Sequence, residues 1–160
     1  MERACKLGEA ADAAPAMIWV ADAQGAIEQV NRRWVEFVGY APDLDGGEGW
    51  AASVHPDDYP DYREIWLRCV RERSPLEREY RLRRHDGAWR WILDSAEARY
   101  DADGRYLGHA GAAIDITDQH EVLDQLRLSD ARFRGFAEVS DNLYWMADAA
   151  VGRIVFANSA

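Results

Sequence analysis

The chain has 160 residues, 48% of them apolar, with seven tryptophans and a formal charge of −10. That is about one domain's worth of sequence with enough apolar content to fill a core, and its acidity argues against a dedicated nucleic-acid binder. Cys5 and Cys69 have neither metal-ligand nor disulfide-framework spacing, and the longest apolar run, Ala13 to Ala21, is too short to span a bilayer or serve as a secretory leader. The expectation is a cytoplasmic globular module with no membrane contact of its own, whose parent is free to carry an anchor elsewhere.

In chain order, residues 1–14 are helix-permissive and Ala-rich, and Pro15 stops them because the residue before proline is pushed out of the α region. Met17 to Ala21 reads as a strand, Asp22 to Gly25 as a turn and Ala26 to Val30 as the hairpin partner. Asn31 can cap the next helix, whose apolar positions Trp34, Val35, Phe37 and Val38 precede a stop at Gly39. A loop dense in Pro, Gly and Asp follows, then a short helical turn around Trp50 to Val54.

In "HPDDYPDYREIWLRCVRE", Asp57 and Asp58 are expected in the first turn of a helix, where they favour its positive end. Ile65, Trp66, Cys69 and Val70 recur at helical spacing and form its buried side. Three strands follow, Leu76 to Arg84, Ala88 to Tyr100 and Arg105 to Ile116, joined by turns at His85-Asp86-Gly87 and Asp101 to Gly104. The element order gives an α+β fold: a five-stranded antiparallel sheet with helices packed on one face. A C-terminal linker helix over 118–140 completes it. Thr117 can cap that helix, and Leu123, Leu126 and Phe133 approximate a heptad seam. This helix either packs on its own sheet or pairs with a copy of itself in a homodimer, the latter being favoured.

The end of the chain repeats its beginning. Trp145-Met146-Ala147-Asp148 lies over Trp19-Val20-Ala21-Asp22, and Gly152 to Asn158 lies over Gly25 to Asn31 after a one-residue insertion. Self-similarity reports architecture directly. Residues 15–117 are therefore expected to form one full unit, and 141–160 the first hairpin of a second, truncated one.

From Pro15 to Thr117 the chain resembles a PAS domain with its C-terminal PAC segment, of the type common in bacterial sensor proteins. The resemblance is carried by Trp19 to Asn31, Val54-His55-Pro56-Asp57-Asp58, Glu79-Tyr80-Arg81 with Asp86-Gly87, Trp89-Arg90-Trp91, and Gly111 through Asp115-Ile116-Thr117. It implies a sheet-and-helix cup able to hold a small ligand and an output leaving through the helix from Asp118. On that basis the candidate ligand contacts are Trp34, Phe37, Trp50, Trp66, Trp91, His109 and Ala113. Of these, Trp34, Trp50 and Trp66 fall on the helical wall, and His109 shares a strand face with Gly111 and Ala113. Core packing is the simpler reading of the tryptophans, and a satisfied or rim position that of His109.

No metal or catalytic set is expected: no nucleophile–base pair, phosphate loop or metal cluster is legible, so the fragment does not read as an enzyme. Haem ligation is disfavoured because Asp57 to Arg73 contains no His. Adduct-forming flavin chemistry is disfavoured because no Cys lies between Asn31 and Val54, and Ala113 removes a flavin-contacting polar side chain; another small-molecule ligand remains open. The signal exit is assigned to Asp115, Ile116 and Thr117, with Asp115 anchored by an Arg or by backbone N–H groups. The parent is expected to be a sensor histidine kinase. The alternatives are a diguanylate cyclase or phosphodiesterase input, or a ligand-free dimerising spacer.

Overall fold

A computed structural model describes residues 8, 10–40, 49–138, 145–147 and 154–157. The expected loop after Tyr40, the start of the N-terminal helix and the repeat's capping Asn158 lie outside these residues. The chain divides into two units, Met1–Thr117 and Asp118–Ala160.

In the first unit, β1 (Met17–Ala21), β2 (Ile27–Val30), β3 (Leu76–Arg83), β4 (Trp89–Tyr100) and β5 (Tyr106–Asp115) form one antiparallel sheet in the order β2-β1-β5-β4-β3. The turns follow from their residues. Asp22 Oδ1 accepts the N–H groups of Gln24 and Ala26, Asp101 Oδ1 those of Asp103 and Arg105, and Asp86 Oδ1 that of Ala88. Short acidic side chains at such positions substitute for a backbone turn.

The helices are α1 (Arg32–Val38), a 3₁₀ turn (Gly49–Ser53) and α2 (Tyr59–Glu72). Asn31 caps α1: its Oδ1 accepts from Trp34 N–H and also from Ile18 N–H of β1, while its amide donates to the carbonyls of Ala11 and Ala16. One buried side chain thus ties β1, α1 and the helical residues 10–13 together. Gly39 ends α1 at φ 91°, a left-handed conformation glycine adopts without penalty.

Strand alternation sorts the sheet's two faces. Met17, Trp19 and Ala21 of β1, Leu76, Tyr80 and Leu82 of β3, Ile92, Asp94 and Ala96 of β4, and Ala113 of β5 are buried on the inner face. Trp34, Val38, Trp50, Val54, Tyr62, Trp66 and Cys69 cover them and complete the core.

One expectation about α2 needs correcting. Asp57 and Asp58 precede the helix, and Asp58, at its N-cap, makes no capping bond there. Its carboxylate instead takes the Nε and Nη2 donors of Arg81 at 2.9 and 2.6 Å and the Arg81 backbone N–H at 2.9 Å, clamping the start of α2 to β3. A two-pronged guanidinium contact outbids a single backbone N–H for the same oxygens.

The second unit contains most of α3 (Thr117–Glu138) and a hairpin, β6 (Trp145–Ala147) with β7 (Ile154–Ala157). β1 and β2 pair Trp19 with Val30, Val20 with Gln29 and Ala21 with Ile27, the register slipping between Val20 and Ala21. β6 and β7 pair Trp145 with Ala157, Met146 with Phe156 and Ala147 with Ile154, slipping at the equivalent step.

Candidate functional site

Four of the seven candidate ligand contacts are members of one buried cluster: Trp34, Trp50, Trp66 and Ala113, with Phe37 partly buried against it. The cup they line is occupied by the protein's own rings. Trp19 and Trp66 meet edge to face at 5.4 Å between centroids, and Trp50 and Tyr62 do so at 5.3 Å. Tyr62 leans on Tyr80 at 4.5 Å. β5 lets these rings approach because Gly111 has no side chain: a Cβ there would lie 2.5 Å from the Trp19 indole.

His109 is fully buried at the edge of this layer, packed against Trp66. Its Nε2 lies 2.9 Å from the Ser74 carbonyl and its Nδ1 2.7 Å from the Tyr106 hydroxyl. A carbonyl can only accept, so Nε2 carries the hydrogen and Nδ1 accepts from the phenol. Both ring nitrogens are therefore engaged within the protein.

Trp91 does not belong to the cup, contrary to expectation. It pairs with Arg81 between the inward Ile92 and the outward-turned edge of β4, and so lies on the opposite face of the sheet. There the Arg81 guanidinium sits 5.5 Å from its ring centre. Trp89, on the same strand face, meets His55 at a tilt of 60° with 4.6 Å between ring centres. Strand parity alone pairs these tryptophans with each other but does not say which face is covered by helices. His55 itself accepts from Asp57 N–H.

At the centre of the core lies a group the sequence pattern hides. Asp94, 1% exposed, accepts from Trp19 Nε1 at 2.8 Å on one oxygen, and from the hydroxyls of Tyr62 at 2.8 Å and Tyr80 at 3.4 Å on the other. Burial pushes its carboxyl up to about 6, against the pull of these three donors. Both phenols are raised well above their ordinary value, first by burial and then by the adjacent Asp94. The available signal is parity: Asp94 sits between the inward positions Ile92 and Ala96.

At the exit, Asp115 joins several elements. Its Oδ2 accepts from Arg90 Nε at 2.9 Å, and its Oδ1 from Thr117 N–H at 3.0 Å and the Thr117 hydroxyl at 2.6 Å. Desolvation raises this carboxyl, but the bonds from Thr117 and Arg90 outweigh it, leaving the group below the ordinary carboxylate range. Ile116 N–H donates to the Trp91 carbonyl and Trp91 N–H to Thr117 Oγ1, both at 2.8 Å. Thr117 is thus not the cap: α3 begins at Thr117 itself, and its hydroxyl is spent bridging Trp91 and Asp115. On α3, Leu123, Leu126 and Phe133 are exposed, as are Val122 and Leu128.

Among the described residues no group of His, Cys, Asp and Glu could hold a metal ion, and no helix is long and apolar enough to cross a membrane.

The PAS-fold family model matches residues 27–113. The uncharacterized protein y4lL of Sinorhizobium fredii is 35% identical over 79% of this chain and 15% of its own length. The two-component sensor PprA of Pseudomonas aeruginosa is 32% identical over 61% of the chain and 11% of its own. The chain thus spans only a small part of these relatives. Among solved structures, a sensory box histidine kinase/response regulator from Burkholderia thailandensis superimposes with a TM-score of 0.57 at 25% identity, covering 82% of this chain and 98% of that one.

Proposed function

The chain belongs to the PAS-fold family, and from that premise we propose that residues 15–117 are the signal-transmitting PAS/PAC module of a larger sensor protein. A sensor histidine kinase is the parent this reading favours, supported by the likeness to the two-component sensor PprA and to the Burkholderia sensory box histidine kinase/response regulator. Output leaves through Asp115, Ile116 and Thr117 into α3.

The observation that carries this reading is the joint itself. Asp115 holds β4 through Arg90 and the first residue of α3 through Thr117, while the Trp91 carbonyl accepts from Ile116 N–H and its N–H donates to the Thr117 hydroxyl. A shift of β5 relative to β4 therefore reaches the start of the helix through bonds rather than through a slack linker. Any stimulus acts by favouring one arrangement of this joint over another. The exposed apolar residues of α3 are read as the seam of a parallel homodimer, with Leu123, Leu126 and Phe133 at its contact. Residues 141–160 are read as the opening hairpin of a second PAS unit.

The filled interior favours a module that works without a large resident ligand over one built round a cofactor. The test is Asp115→Ala in the full-length parent, with autophosphorylation measured across stimulus conditions. The variant is expected to fold and to respond no longer; an unchanged response refutes the exit assignment.

A further inference from the structure

Among the described residues nothing charged answers Asp94 in the core. From β1 it meets Trp19, from α2 Tyr62, from β3 Tyr80, and its ladder neighbour on β5 is Ala113. Arg78 stands directly across the ladder on β3 but is solvent-exposed, and neither it nor His109, held by Ser74 and Tyr106, bonds the carboxylate. Both phenols are held in their neutral form by burial. The carboxyl is thus the group of this cluster that changes charge in the physiological range.

Its two forms cannot make the same bonds. The ionised carboxylate only accepts, and three donors converge on it. The neutral acid carries a proton on one oxygen and must donate it. Tyr62 and Tyr80 share Oδ2, and the Tyr80 contact is the longer, at 3.4 against 2.8 Å. The Tyr80 hydroxyl is therefore the one to reverse, accepting from the acid and drawing closer. Tyr80, Tyr62 and Trp19 lie on three different elements, and Ala113 lies two residues before Asp115. A single proton in this place is consequently felt across the sheet and along the strand that ends at the exit.

We propose that the Asp94 carboxyl, enclosed by Trp19, Tyr62 and Tyr80, is a proton-operated switch whose protonation re-sorts the bonds of β1, α2 and β3 and moves β5 at the Asp115 joint. This deepens the PAS reading by naming the stimulus, and its link to output rests on that reading. It accounts for an acidic side chain at the centre of a cup otherwise filled with aromatic rings. An Asn would avoid the cost of a buried charge, but with one acceptor oxygen and a donating amide it could not take all three donors.

The test is an NMR titration of the 160-residue chain from pH 4.5 to 8, following the Trp19 indole N–H and the Thr117 amide. Both are expected to shift with one midpoint near 6, about a hundredfold in proton affinity above an ordinary Asp. Asp94→Asn should abolish both shifts. Tyr80→Phe, which removes both a donor to the charged form and the acceptor of the acid's proton, should move the midpoint and guards against a failure of the Asn variant to fold. A Trp19 indole that does not titrate, a titration surviving in Asp94→Asn, or an unmoved midpoint in Tyr80→Phe overturns the switch. A titrating Trp19 beside a Thr117 amide that ignores pH overturns its coupling to the exit. Failure of the exit assignment is separate: it is read in the parent's Asp115→Ala output and leaves this titration intact.

Discussion

The buried Asp94 fixes an unusual dependence of stability on pH. In the unfolded chain its carboxyl titrates near 3.8, and in the folded core near 6. The folded state therefore binds the proton more tightly, so Asp94 favours folding below pH 4 and loses that contribution as pH rises through 6. At about 1.4 kcal/mol for each tenfold change in proton affinity the full difference is about 3 kcal/mol, of which roughly 2.4 disappears between pH 4 and 7. Asp58 and Asp115 act in the opposite sense, because their folded-state values are depressed. Their contributions are present above the ordinary carboxylate value and fade only as pH falls below it. Urea unfolding followed by tryptophan fluorescence at pH 4.5, 6 and 7.5 measures the fall, which at a typical slope amounts to about 1–3 M in the midpoint. Asp94→Asn keeps the acceptor oxygen and removes the ionisation, and should flatten the curve over this range. Parallel losses in the wild type and the variant would refute the assignment of the fall to Asp94.

Three further outcomes follow from the geometry. Asp115→Ala removes one charge-assisted bond and two bonds to Thr117, and should cost about 2–3 kcal/mol with loss of hydrogen-exchange protection at Ile116 and Trp91; undiminished protection contradicts the joint. Gly108→Ala should abolish folding or nearly so, since a Cβ there, at φ 122°, collides with the Ala21 carbonyl and the Asp22 backbone; Gly87→Ala, at φ 88° in open space, should cost only about 1 kcal/mol, and equal losses in thermal melts would refute the contrast. Leu126→Glu, at a position 66% exposed, should leave circular dichroism unchanged while halving the mass seen by sedimentation; a chain that is monomeric before the change refutes the paired helix.

The hairpins, the succession of elements along the chain and the α1 caps were legible because each depends on local chemistry: Asp–Gly turns, Asn31 before an apolar helical stretch, period-2 strands. Trp34, Trp50 and Trp66 were also readable as helix-face aromatics. What escaped depends on tertiary choices. Trp91 and Trp89 share a strand face by parity, but only the placement of α2 decides which face is inside. Asp94 looks like an outward residue because it is acidic, although its parity with Ile92 and Ala96 puts it in the core. Its burial is tolerable only because Trp19, Tyr62 and Tyr80, drawn from distant parts of the chain, bring three donors to it. Asp58 was assigned to a helix start by charge alone, and Arg81, 23 residues on, claims it instead.

The two hairpins carry a further step. The stretch from Ala21 to Ile27 is one residue shorter than that from Ala147 to Ile154, yet the bulge falls at the same place in both. Were the turn setting the register, an added residue would shift the pairing, and a one-residue slip would send every side chain to the other face. The retained bulge means that the strands, not the length of chain between them, set the register. In the first unit a separate ladder, β1 with β5, sets Trp19 against Gly111, and its indole donates to Asp94. Trp145 holds Trp19's position in the pairing of the second hairpin.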